Sequence, residues 1–167
     1  SMNKFEDECI KNKDIQPHYT SFLELLDLCG YGKLLDIGTG TARISQFCKN
    51  FEFVGADLPN IISGCAMRNY PKYKYQSIDI IEDNLAWIRE YDVIVLNGVI
   101  DVMQNGLYIL ERILTHSRRY VLIHRQEITE SGKTYSKINP SYNSNTFHSI
   151  INRNDFNQLL EKMGFEI

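Results

Sequence analysis

Asp36-Ile37-Gly38-Thr39-Gly40 is the stretch whose residue types and spacing carry the clearest chemistry. It follows the apolar pair Leu34-Leu35 and precedes Thr41-Ala42-Arg43, so it reads as a strand entering a tight glycine turn that opens a helix. Glycines there let a ligand approach the backbone, and the first N–H groups of a helix attract an anion. A nucleotide-like ligand fits that context. The dinucleotide fingerprint G-x-G-x-x-G needs a third glycine at position 43, where this chain has the bulky Arg43, which argues against NAD. An acid two residues before the first glycine would sit at the strand's carboxyl end and pair with a cationic ligand group. The alternative reading of Asp36 is an exposed loop acid.

This stretch resembles the first motif, D/E-x-G-x-G-x-G, of class I, Rossmann-like S-adenosylmethionine (SAM)-dependent methyltransferases. Asp36, Gly38 and Gly40 match, and Ala42 stands in place of the last glycine. The methionyl part of SAM has the amine that Asp36 would meet. Phe53-Val54-Gly55-Ala56-Asp57 resembles the family's second strand, whose terminal acid holds both ribose hydroxyls; a carboxylate can accept from a vicinal diol. Ser77-Ile78-Asp79 resembles the third motif, with Asp79 on the adenine amine and Ile78 against the ring. Tyr91 to Asp101 resembles the fourth, with Asn97, Gly98 and Val99 lining the wall beside the reactive methyl. Glu161-Lys162-Met163-Gly164-Phe165 resembles the turn into the sixth strand. The resemblance therefore implies a cofactor set of Asp36, Gly38, Thr39, Gly40, Asp57, Leu58, Ile78, Asp79, Asn97, Gly98 and Val99. It implies SAM as cofactor and S-adenosylhomocysteine (SAH) as product. Asp57 has a second reading as a helix N-cap, and Asp79 as part of a solvated turn with Glu82 and Asp83.

The elements that must position these residues follow from periodicity. Nearly continuous apolar runs at Lys33–Ile37, Phe51–Ala56, Tyr91–Leu96 and Arg119–His124 suggest strands buried on both faces. Lys72–Ile78 alternates and suits a sheet edge. Helical spacing appears at Ser21–Cys29, Ala42–Lys49, Ile61–Asn69, Asn84–Arg89, Gln104–His116 and Arg153–Met163, the last capped by Asn152 and ended by Gly164. The expected fold is α/β: a Rossmann-like, doubly wound, mostly parallel sheet with helices on both faces. Residues 1–167 read as a single domain, with an N-terminal helix over 18–32 and a polar cover loop over 126–151. Phe165–Ile167 reads as the start of a sixth strand. Family members commonly add a seventh, so the C-terminal strands are expected to be abbreviated or truncated. Ser1 before Met2 reads as a remnant of an expression tag.

Candidates for acceptor chemistry lie at the far strand ends. His124 should emerge at the carboxyl end of the fifth strand, where ligands bind in open α/β sheets, and is the first candidate base. Asp101 and His148 stand behind it, although Asp101 also reads as a helix cap and His124 as a plain surface residue. Arg125 suits bidentate recognition of an acidic group or a surface ion pair. Tyr135, Tyr142 and Phe147 belong to the cover segment, and His18 and Tyr19 precede the first helix. With 43% hydrophobic residues and a formal charge of -3, the chain suits one globular domain without a basic surface, so nucleic acid is not expected. No run approaches a membrane span and no secretory signal is visible, which predicts a cytoplasmic protein. Cys9, Cys29, Cys48 and Cys65 lack paired spacing and read as free thiols; no metal is expected. The function expected is methyl transfer from SAM to a small-molecule acceptor by a monomer or homodimer. The alternatives are a non-catalytic SAM-binding regulatory domain and, more weakly, an NAD-dependent oxidoreductase.

Overall fold

The computed structural model describes residues 17–139 and 146–167. Two compact units separate, Ser1–Gly30 and Tyr31–Ile167. In the first, helix α1 spans Pro17–Cys29. It begins a turn earlier than the Ser21 start expected, with proline in the first turn, where the missing N–H costs nothing. Cys9 and Tyr142 lie outside the described residues, Cys48 and Cys65 are free thiols, and the Cys29 sulfur donates to Leu25 O at 3.3 Å.

The second unit is built on five parallel strands, β1 (Gly32–Ile37), β2 (Phe51–Asp57), β3 (Lys74–Ser77), β4 (Val93–Asn97) and β5 (Tyr120–His124), in the order β3-β2-β1-β4-β5. The central strands carry the continuous apolar runs because both their faces are covered: Leu34, Leu35, Ile37 and Val93 to Leu96 are all buried. Alternating β3 takes the edge. Helix α2 runs from Pro59 to Asn69 in three pieces, Pro59–Ile61, a π-helical turn Ile62–Ala66, and Met67–Asn69. Helix α3 (Gly106–His116) presses Ile109, Leu110, Ile113 and Leu114 into the core. Its Arg112 donates to the carbonyls of Ile80, Ile81 and Asp83, pinning the loop that follows β3.

The structure corrects several expectations. Ala42–Lys49 is not a helix: Ala42 adopts a left-handed conformation (φ 58°), which interrupts helical propagation, and only a 3₁₀ turn, Arg43–Gln46, follows. Asn84–Arg89 is likewise reduced to a 3₁₀ turn, Ala86–Glu90. The 126–151 segment is not an irregular loop, since it contributes β6 (Ile128–Thr129), β7 (Tyr135–Asn139) and β8 (Thr146–Asn152) to a second sheet of order β6-β8-β7. Phe165–Ile167 forms no strand. Helix α4 (Arg153–Met163) starts where predicted, because Asn152 Oδ1 accepts from Asn154 N at 2.8 Å, and Gly164 ends it at φ 74°. Among the described residues no helix is long and apolar enough to cross a membrane.

Candidate functional site

Parallel register brings the chemically capable residues to one rim of the sheet. Asp36 lies one residue from the end of β1 and Asp57 at the end of β2, next to it. Between them the glycine turn is knitted into β2: Gly38 N and Thr39 N both donate to Ala56 O, at 2.8 and 3.1 Å. Asp57 Oδ2 accepts from Gly40 N and Oδ1 from Leu58 N, each at 2.8 Å. Asp57 therefore braces the turn and does not cap α2, whose N-cap is Leu58. Thr39 Oγ1 donates to Asp36 Oδ2 at 2.6 Å, so Thr39 orients the acid.

Two glycines make this packing feasible. A Cβ on Gly38 (φ 72°) would lie 2.5 Å from Val99 Cγ2, and one on Gly55 would lie 2.9 Å from both Thr39 Oγ1 and the Tyr75 ring. Gly55 escapes a reading that looks only for an acid at the strand end; the signal was its position beside a buried hydroxyl. Asp36 is 2% exposed. Burial pushes its carboxyl up to about 7, the nearby Asp57 charge adds to the rise, and the Thr39 hydrogen bond opposes it.

Farther along the rim, Ile78 is buried in the core, and half-buried Asp79 turns its Oδ1 to Ile81 N (2.9 Å) and Glu82 N (3.3 Å). This is the local turn that was the alternative reading for Asp79. No hydrogen bond links Asp79 to the Asp36 and Asp57 group among the described residues.

The β4 and β5 ends form a second group. Asn97 and His124 are register partners, and Asn97 Oδ1 meets His124 Nδ1 at 2.9 Å. An amide oxygen can only accept, so Nδ1 is the donor in this contact. Beyond them the chain turns left-handed on both strands, at Gly98 (φ 66°) and Arg125 (φ 64°), and Gly98 N donates to His124 O at 3.0 Å. Asp101 lies in the 3₁₀ turn Ile100–Val102 and is not the cap of α3, which begins after Asn105. Its Oδ1 is buried without a hydrogen-bond partner. Burial pushes its carboxyl above the usual carboxylate range, while the positive charges of Arg125 and His148 draw it back. His148 comes from β8 and meets Glu127 at 2.9 Å through Nε2. Glu127 is a residue the sequence did not flag; it becomes visible only when β8 folds back beside the β5 exit.

The four-residue 3₁₀ turn after Ala42 provides no helix end for a pyrophosphate, which weighs against NAD. The family profile described as a methyltransferase domain matches residues 13–167. A comparison with curated proteins gives no match. Among solved structures, the N-terminal domain of EvdMO1, determined in the presence of SAH and D-fucose, is similar at TM-score 0.65 and 11% identity, over 89% of this chain and 73% of that one. SAM-bound CalS10, an amino pentose methyltransferase from Micromonospora echinaspora, is similar at 0.62 and 10%, over 96% and 88%. Human N-acetylserotonin methyltransferase in complex with SAM gives 0.62 and 19%, and here the shared fold covers 86% of this chain but 45% of the other.

Proposed function

The chain belongs to the methyltransferase-domain family and has the class I, Rossmann-like fold, and from that premise we propose that it binds SAM along the β1–β2–β3 rim and methylates a small molecule at the β4–β5 end. The observation that carries this reading is the buried Asp36, oriented by Thr39 and pushed up to about 7 beside a braced Asp57. Such a carboxyl is poised to lose its proton when a cation arrives. The residues fit SAM: Asp36 would face its ammonium, Asp57 its ribose hydroxyls and Asp79 its adenine amine. Gly38, Gly40 and Leu58 would offer backbone, Ile78 an apolar floor, and Asn97, Gly98 and Val99 the wall beside the methyl group.

SAM, when bound, supplies a methyl carbon already activated by its sulfonium. The protein then has to hold the acceptor in line and, for a hydroxyl, remove its proton. His124 is the base in this reading, its ring held through Nδ1 against Asn97 Oδ1 at 2.9 Å. Asp101 and His148 stand behind it as secondary candidates. A carboxylate, or an amine in its neutral form, needs positioning alone. The test is SAH formation from SAM across hydroxyl, amine and carboxylate small molecules, with the intact chain and His124→Gln. Turnover of a hydroxyl acceptor that falls about 10²–10⁴-fold in the variant supports the reading. SAM binding with no turnover of any acceptor would favour the regulatory alternative.

A further inference from the structure

Among the described residues, Arg125 is the one bulky side chain at the rim held by an unfavourable backbone. A left-handed φ of 64° disfavours any residue with a Cβ, and a long side chain persists there when the conformation serves a purpose. Its result is visible at Gly98. A Cβ built on that glycine would lie 3.7 Å from the guanidinium Cζ and 3.8 Å from Nε and Nη1, so the guanidinium lies against the bare β4 backbone one residue past Asn97. Arg118, Arg153 and Arg112 spend their guanidinium groups on carboxylates or carbonyls. Among the described residues Arg125 makes no ion pair or hydrogen bond, not even with Asp101, whose carboxyl feels its charge. Of the other charged groups here, His148 pairs with Glu127, and Asp101 is half-buried with Oδ1 unpartnered.

An exposed, pre-positioned planar cation beside the Asn97–His124 pair matches an anionic group of the molecule that reaches that pair. We propose that Arg125 is the specificity-determining residue of the acceptor site, and that the acceptor carries a carboxylate or phosphate which its guanidinium binds through paired N–H donors. Gly98 lies beside the guanidinium with a left-handed φ of 66°, a backbone conformation that favours glycine at that position. The proposal rests on the methyl-transfer reading for the identity of the ligand as acceptor.

The test uses the full chain with and without SAH, titrated with benzoate, inorganic phosphate and neutral benzamide. It follows the arginine Nε–H signals by NMR, with the Arg125 signal identified by its loss in Arg125→Lys. The expected result is a saturable shift of that signal by benzoate or phosphate in the millimolar range and none by benzamide. The response to each anion tells carboxylate from phosphate. Arg125→Gln should weaken anion binding at least tenfold and leave SAH affinity within twofold, and Arg125→Lys should retain weaker anion binding. The proposal is overturned if neither anion gives a saturable shift, if benzamide shifts the signal equally, or if Arg125→Gln weakens SAH tenfold, which would assign the guanidinium to the cofactor. Failure of SAH to bind the unmodified chain would instead overturn the methyl-transfer reading, and the anion titration without SAH would still report on Arg125.

Discussion

The two ends of the sheet's functional rim differ in how they treat their polar groups. At the β1–β2 end each of the two acids already holds hydrogen-bond donors from the turn, Asp57 from Gly40 and Leu58, and Asp36 from Thr39. At the β4–β5 end Asp101 Oδ1 has no partner and Arg125 makes no ion pair among the described residues. A site whose acids are braced by its own backbone is shaped for one fixed ligand, whereas a site with unspent charge leaves that charge to pair with the molecule that enters. The first arrangement suits a cofactor and the second an acceptor, and substitutions should separate them.

The largest effect is expected at Gly38. Alanine there meets Val99 Cγ2 and inherits a φ of 72°, so Gly38→Ala should lose about 2–4 kcal/mol of stability in urea unfolding and all SAH binding. Adding Val99→Ala should recover part of the stability, because it removes the clash and leaves the backbone strain. No recovery would mean that the turn is not braced against β4.

Asp36→Asn should weaken SAH about 10–100-fold, the size of a lost charge-assisted bond. It should also change the pH profile. Asp36 in the folded chain holds its proton up to about 7, well above the ordinary carboxylate value, so between about pH 4 and 7 the folded state binds more protons than the unfolded one. Its contribution to stability therefore declines as pH rises through that window, and cofactor affinity rises toward pH 7 as the carboxylate forms. Urea unfolding at a series of pH values should show a shallower decline in Asp36→Asn than in the unmodified chain. An equal decline would place the titrating group elsewhere.

The smallest effect has the opposite sign. Arg125→Gly relieves the left-handed strain and should raise stability by roughly 0.5–1 kcal/mol after the entropy cost of glycine. A destabilised variant would make Arg125 a structural residue of the β5 exit and erase the contrast between the two ends.

Most of the large sheet was legible in the sequence because β1 and β4 are buried on both faces and so read as unbroken apolar runs. Asp36 and Asp57 were legible for the same reason, since each stands at the end of such a run, whereas Asp79 follows the alternating β3. The second sheet was not. β7 exposes Ile138 and Tyr135 at 62% and 48%, and β8 buries the polar Ser149, which is satisfied by Ser136 Oγ at 3.2 Å, so neither strand shows the apolar signal of the core. Ala42 misled in another way. As a good helix former it suggested a helix, but the turn needs a left-handed residue there and the helix shrinks to one turn. Glu127 could not be found from local spacing, because its partner His148 arrives from a strand 21 residues away.

The measurement that most directly tests the central claim is calorimetric titration of the purified chain with SAM, SAH and NAD, repeated on Asp57→Ala. The account predicts micromolar binding of SAM or SAH, at least tenfold weaker in the variant, and no comparable binding of NAD. Binding of NAD in preference to SAM, or SAM binding indifferent to Asp57, would contradict it.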